Sequence, residues 1–191
     1  MMKPTPLVLL VPLTLASFGF LTMAQQPPSV WRQSQKTDAP GEITYTRFTL
    51  AGKFLKSPQV TVPSRPTIVL DCAPGDESHR PKDRFLAGNL LVGPTLKIVY
   101  VEPDEIHGTS YYPKISVRYR MDNAKEEPEN WPAGTDKTSA SIPKSSLKKM
   151  LRARTIEITT DDNRGLPVVM QFDMPDPTTV EAACAVDDHK K

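Results

Sequence analysis

The chain has 191 residues, with 24 Lys and Arg against 22 Asp and Glu, a formal net charge of +2, 20 prolines and 2 cysteines. So balanced a charge gives no reason to expect nucleic acid or an acidic polymer as the main partner. Proline at about twice its average usage argues for short strands and rigid turns and against a helical bundle.

Lys3 followed by an apolar run from Leu7 to Leu21, then Thr22-Met23-Ala24, has the three parts of a secretory signal peptide. The run is shorter than the ~20 residues of a membrane-spanning helix, and Pro12 weakens it further. The expectation is cleavage after Ala24, export to the periplasm or the medium, and no stable membrane span afterwards. An uncleaved anchor is the alternative. Residues 25–191 are enough for one domain with a proper core.

Residues 25–40 are polar and contain proline, with Trp31 the one large aromatic, and read as a flexible lead-in to a domain spanning 41–186. Ile43 and Tyr45 alternate with threonines, after which Phe48 and Leu50 continue in the opposite phase. A bulged strand, or two strands meeting at a bend, would explain the shift. Gln59 to Val62 is a short extended piece between prolines. In Thr67–Cys72, Ile68, Leu70 and Cys72 share one strand face, so this thiol points where the apolar side chains point. Residues 73–88 are charged, with Pro and Gly, and read as a long exposed loop; Leu96, Ile98 and Tyr100 mark the next strand.

The clearest alternation follows. Ile115, Val117, Tyr119 and Met121 face one way, and Lys114, Ser116, Arg118, Arg120 and Asp122 the other, as in a half-solvated antiparallel strand. Residues 123–136, with Trp131 and two prolines, read as a loop or bent hairpin. Ser145 to Arg154 reads as an amphipathic helix with a serine N-cap, its apolar stripe being Leu147, Met150 and Leu151. Ile156 and Ile158, the turn residues 161–165, and Val168 to Met174 make a hairpin over roughly 155–174. Thr178-x-x-Glu181 resembles a capping box opening a last short helix whose apolar stripe includes Cys184. Residues 187–191 read as a disordered tail.

Two inward thiols in an exported chain are most simply one disulfide, Cys72 to Cys184. The expected fold is therefore mainly β: a single antiparallel β-sandwich-like domain with two short helices and one staple.

Candidate chemistry is sparse. Ser145-Ser146-Leu147-Lys148 matches the S-x-x-K of penicillin-binding enzymes, but no Ser-Asp-Asn follows and Lys137-Thr138 precedes Ser, not Gly. His79, His107 and His189 fall in loops and the tail without metal-ligand spacing, so no metal or cofactor is expected. Asp161-Asp162-Asn163 carries oxygen ligands but too few for a calcium loop, and turn chemistry accounts for it. No nucleophile elbow or glycine-rich oxyanion run supports a Ser–His–Asp triad. Arg118, Arg120 and Asp122 form either a cross-strand charge pattern or a recognition face for a partner protein or anionic envelope polymer.

The ordered landmarks are Trp31, Arg65-Pro66-Thr67-Ile68-Val69-Leu70-Asp71-Cys72, Val117-Arg118-Tyr119-Arg120-Met121-Asp122, Trp131, Phe172-Asp173 and Cys184. Together they resemble the periplasmic accessory proteins associated with type VI secretion, the VasI/TagO-like family. The chain departs from that pattern at Met174-Pro175 and in a longer stretch around 73–95. The resemblance implies a non-enzymatic envelope accessory or binding protein whose partner is an envelope or secretion-machinery protein, and it has cysteines at the same two landmarks. A secreted cell-wall-directed hydrolase is the alternative of another class. A polysaccharide-binding module is a third, with little aromatic surface to support it.

Overall fold

A computed structural model describes residues 30–37, 44–57, 65–73, 85–100 and 113–184. The signal-like segment, the 59–62 piece, all three histidines and the tail lie outside them.

Eleven strands and two helices are described: β1 (Arg32–Thr37), β2 (Thr44–Ala51), β3 (Lys53–Lys56), β4 (Thr67–Ala73), β5 (Phe85–Leu91), β6 (Ile98–Tyr100), β7 (Pro113–Met121), β8 (Glu127–Pro132), β9 (Ser139–Ile142), α1 (Lys144–Met150), β10 (Thr155–Asp161), β11 (Pro167–Asp173) and α2 (Thr178–Cys184). They form two antiparallel sheets. The first has the order β1-β2-β4-β5-β9. The second runs β3-β11-β10-β7, with β8 along one side of β7 and β6 taking over from β10 along the other. The mainly β, two-sheet fold expected from the alternating patterns is present.

The inner faces follow the period of two. Phe48, Leu50, Ile68, Leu70, Leu86, Leu90 and Ile142 from the first sheet meet Ile115, Val117, Trp131, Ile156, Ile158, Met170 and Phe172 from the second in one buried cluster. Leu147 and Met150 of α1, and Val180 and Cys184 of α2, complete it. Cys72 and Cys184 form the disulfide, with Cα atoms 5.1 Å apart across a sequence separation of 112. No helix among the described residues is long and apolar enough to cross a membrane.

The two sheets are one continuous chain at Gly52, where β2 leaves the first sheet and β3 enters the second. A Cβ here would lie 2.6 Å from Phe172 Cε1 and 2.7 Å from the Gln171 carbonyl oxygen. The second contact is backbone and cannot yield by a rotamer change. Gly52→Ala is therefore expected to cost about 1–3 kcal/mol by urea denaturation; an unchanged midpoint would contradict this crossing geometry. At the opposite edge a bridge between Ala133 and Ala140 links the end of β8 to β9.

Several expectations need correction. The phase shift in β2 is neither a bulge nor a bend, because its register with β4 is unbroken from Thr46 to Ala51. Tyr45 lies on the outer face, with Lys36 and Arg47 both within cation–π distance of its ring; the bend comes later, at Gly52. Residues 32–37, within the expected lead-in, form edge strand β1, which pairs with β2 although every side chain is exposed. Trp31 packs against the core. β5 occupies the end of the stretch read as a loop. Its Gly88, the last residue of that stretch, sits on the inner face, where a Cβ would come 2.8 Å from Leu147 Cδ2.

Helix ends also differ. α1 starts after Pro143 with no side-chain cap, so Ser145 is not an N-cap. At α2, Asp176 accepts hydrogen bonds from the Thr178 amide (2.8 Å) and hydroxyl, so Thr178 does not act as the first residue of a capping box.

Candidate functional site

The alternation of β7 puts Arg118 and Arg120 on the outer face of the second sheet. Register fixes their neighbours: Arg118 stands opposite Thr159 of β10, and Arg120 opposite Glu157. The Arg120 guanidinium donates to Glu157 Oε2 at 3.0 Å. Arg118 Nε lies 3.4 Å from Glu126 Oε1, an ion-pair distance and a weak contact. Both arginines stay about half exposed, at 55% and 48%.

Thr159 in turn pairs with Val169 of β11, and Val169 with Lys56 of β3. The register between β11 and β3 shifts at Val169/Met170, so that Phe54 opposes Met170 but Lys56, not Leu55, opposes Val169. Without this bulge the strict alternation of β3 would turn Lys56 to the other face; the extra residue re-aims it outward. The result is an open trough of about 250 Å³. Thr159, Val169 and Pro167 form its floor, Arg118, Arg120 and Glu126 line one side, Lys56 the other, and Glu157 joins the lining. Lys56 has no ion pair among the described residues.

Asp122, the third residue of the expected face, is not part of it. It sits in the turn after β7 with φ 50°, where alternation ends. Its Oδ1 accepts the amides of Arg154 and Thr155, each at 2.9 Å, clamping the end of β7 to the start of β10. The Thr155 amide does most to hold its carboxyl below the ordinary carboxylate value; burial, the next largest effect, opposes it, and the Arg154 amide adds to the lowering.

The S-x-x-K match breaks up in three dimensions. Ser145 is exposed, while Ser146 is buried and donates to Glu129 Oε2 at 2.6 Å. The Trp131 indole donates to the same oxygen at 2.9 Å. Tyr119 and Lys149 both donate to Glu127 Oε2 at 3.0 Å. Burial pushes the Tyr119 hydroxyl up, with Ser146 opposing and Glu127 adding to the shift. Lys149 in turn lowers the Glu127 carboxyl. Buried and with its proton directed at Glu129, the Ser146 hydroxyl is a donor within this network. This network ties α1 to β7 and β8. Among the described residues no group of three or more His, Cys, Asp or Glu could hold a metal ion.

No family model, curated protein or solved structure matches the chain.

Asp162 likewise serves its turn. Its carboxylate accepts the amides of Arg164 and Leu166 at 2.9 Å and two guanidinium contacts from Arg164 at 3.0 and 2.8 Å. Burial pushes this carboxyl up, but the Leu166 amide and the Arg164 donors together outweigh it, and the net displacement is downward. Asp136 and Asp176 are lowered by hydrogen bonds from Thr138 and Thr178. A carboxylate lowered in the folded state contributes stability that is complete above its unfolded value and lost as pH falls through the folded one. Stability is thus expected to hold down to about pH 4 and then decline, given the reference value of 3.8 shared by these aspartates. Asp122→Asn keeps an acceptor and tolerates positive φ, so it should flatten part of that decline. Urea midpoints from pH 6 to 2.5 check this; an identical acid limb in the variant would contradict it.

The sequence pattern found Arg118 and Arg120 because strong alternation places them. Lys56, Thr159, Val169 and Glu157 were missed as site residues, since only the register across four strands brings them together.

Proposed function

We propose that this chain is an exported, non-enzymatic envelope protein that recognises a partner protein through the outer face of its second sheet. The observation that carries this reading is the contrast between the arginines of the two outer faces. Arg47, on the first sheet, commits both arms of its fork to Asp71, with Nε–Oδ1 2.6 Å and a second bond of 2.7 Å. Among the described residues Arg118 and Arg120 each make a single ion-pair contact, which leaves donors turned to solvent beside a trough. The disulfide and the signal-like N-terminus support an oxidising compartment, periplasmic or extracellular. The resemblance to type VI secretion accessory proteins makes that machinery the first place to seek the partner.

In-cell crosslinking of the full chain followed by mass spectrometry tests the reading. Wild type is expected to recover an envelope protein that Arg118→Glu/Arg120→Glu loses while remaining folded. Equal recovery by both would contradict it. So would hydrolysis of peptidoglycan or chromogenic esters by the purified protein that one Ser or His substitution abolishes.

A further inference from the structure

The trough also has features that select a ligand. Arg118 and Arg120 are two residues apart on one strand, which spaces their Cα atoms by about 6.6 Å. An extended peptide repeats its like-facing side chains with the same period, so acids at every second position come into step with the two guanidinium groups. Lys56 lies three strand spacings from Arg118, across Thr159 and Val169, or about 14 Å. That width admits one extended chain laid along β10 and β11. Beneath it Thr159, Val169 and Pro167 are small side chains, and Glu157, two residues from Thr159 on β10, sets one carboxylate beside them.

Charge complementarity narrows the class further. Three cations and two carboxylates, Glu126 and Glu157, line the trough. The carboxylates repel a dense polyanion such as polyphosphate or an anionic membrane surface, whereas a peptide carrying isolated acids can seat them on the arginines and lysine alone. The bulge that re-aims Lys56 is the second independent feature, since it supplies the cation of the far wall.

We infer that the trough between Lys56 and Arg118/Arg120 binds an extended, acidic segment of a partner protein, with acidic side chains at alternate positions. The inference rests on the proposed recognition role of this face and gives it a ligand chemistry.

Fluorescence anisotropy of a labelled peptide of alternating Asp and Val, titrated with the purified chain at low and physiological salt, tests it. Saturable binding is expected, weakened at least about tenfold by Arg118→Ala/Arg120→Ala and severalfold by Lys56→Ala, and reduced by salt. Arg47→Ala, on the other sheet, should leave it unchanged. Glu126→Gln/Glu157→Gln should tighten it by freeing both guanidinium groups.

Equal binding by wild type and the arginine variant would overturn the inference. So would binding of polyphosphate or phosphatidylglycerol vesicles in place of the peptide. If the peptide fails while in-cell crosslinking still depends on Arg118 and Arg120, only the ligand class is wrong; loss of both removes the recognition face as well.

Discussion

Replacing Cys72 and Cys184 together by alanine is expected to lower unfolding stability by about 4 kcal/mol. Each cysteine is buried, at 3% and 1% exposure, one on β4 and one on α2. Their bond closes a loop of 112 residues, for which the chain-entropy model gives roughly 4–5 kcal/mol, mostly by restricting the unfolded chain. A structural effect adds to it. α2 is a two-turn helix anchored by Val180 and Cys184, too short to persist without its attachment. Reduction should therefore expose the C-terminal helix to protease before the sheets unfold. Urea melts of wild type with and without reductant, beside the double variant, check this. Unfolding free energies of the reduced protein and of the double variant within about 0.5 kcal/mol of the oxidised wild type would show that the bond does not staple the domain.

Trp131→Ala is expected to cost about 3–5 kcal/mol, comparable to the loss of the disulfide. Trp131 is fully buried on β8, and its ring lies 6.0 Å from that of Tyr119 at 37°. Alanine would leave a large cavity where β8, β7 and α1 meet. It would also remove the indole donor from Glu129, leaving Ser146 as its remaining side-chain donor among the described residues. Trp131→Phe separates the two contributions, because it keeps most of the volume and loses the N–H bond. It should cost about 1–2 kcal/mol. If phenylalanine proved as damaging as alanine, the hydrogen bond to Glu129 would outweigh the packing, contrary to the arrangement described.

The parts of the fold legible in the sequence are those where alternation is strong and both phases are unambiguous. β7 shows apolar and charged residues in strict turn, and the 155–174 hairpin is bounded by Asp-Asp-Asn-Arg-Gly. The inward direction of both cysteines followed from the same periodicities. What was hidden is hidden for physical reasons. β1 has no buried side chain at all, so hydrophobic period cannot mark it. β9 is Ser-Ala-Ser-Ile, whose inner Ala140 is too small to stand out. β5 begins inside 73–88, a stretch read as an exposed loop for its charge, Pro and Gly; its Gly88 lies on the inner face, where Leu147 fills the space a side chain would need.

The candidate site divides the same way. Arg118 and Arg120 were visible from one strand, whereas Lys56 reaches the trough only through a bulge, which a single sequence does not announce. Asp122 shared their apparent phase but leaves it at positive φ, where its carboxylate becomes a backbone clamp.

The most direct test of recognition by the outer face of the second sheet is site-specific photocrosslinking in cells. A photoreactive residue would replace Thr159 on the trough floor in one strain. In a second it would replace Leu91, which is 42% exposed on the outer face of the first sheet. The account predicts a discrete crosslinked protein from position 159 that disappears on Arg118→Glu/Arg120→Glu, and none from position 91. Crosslinks from position 91 alone, or from position 159 regardless of the arginines, would contradict it.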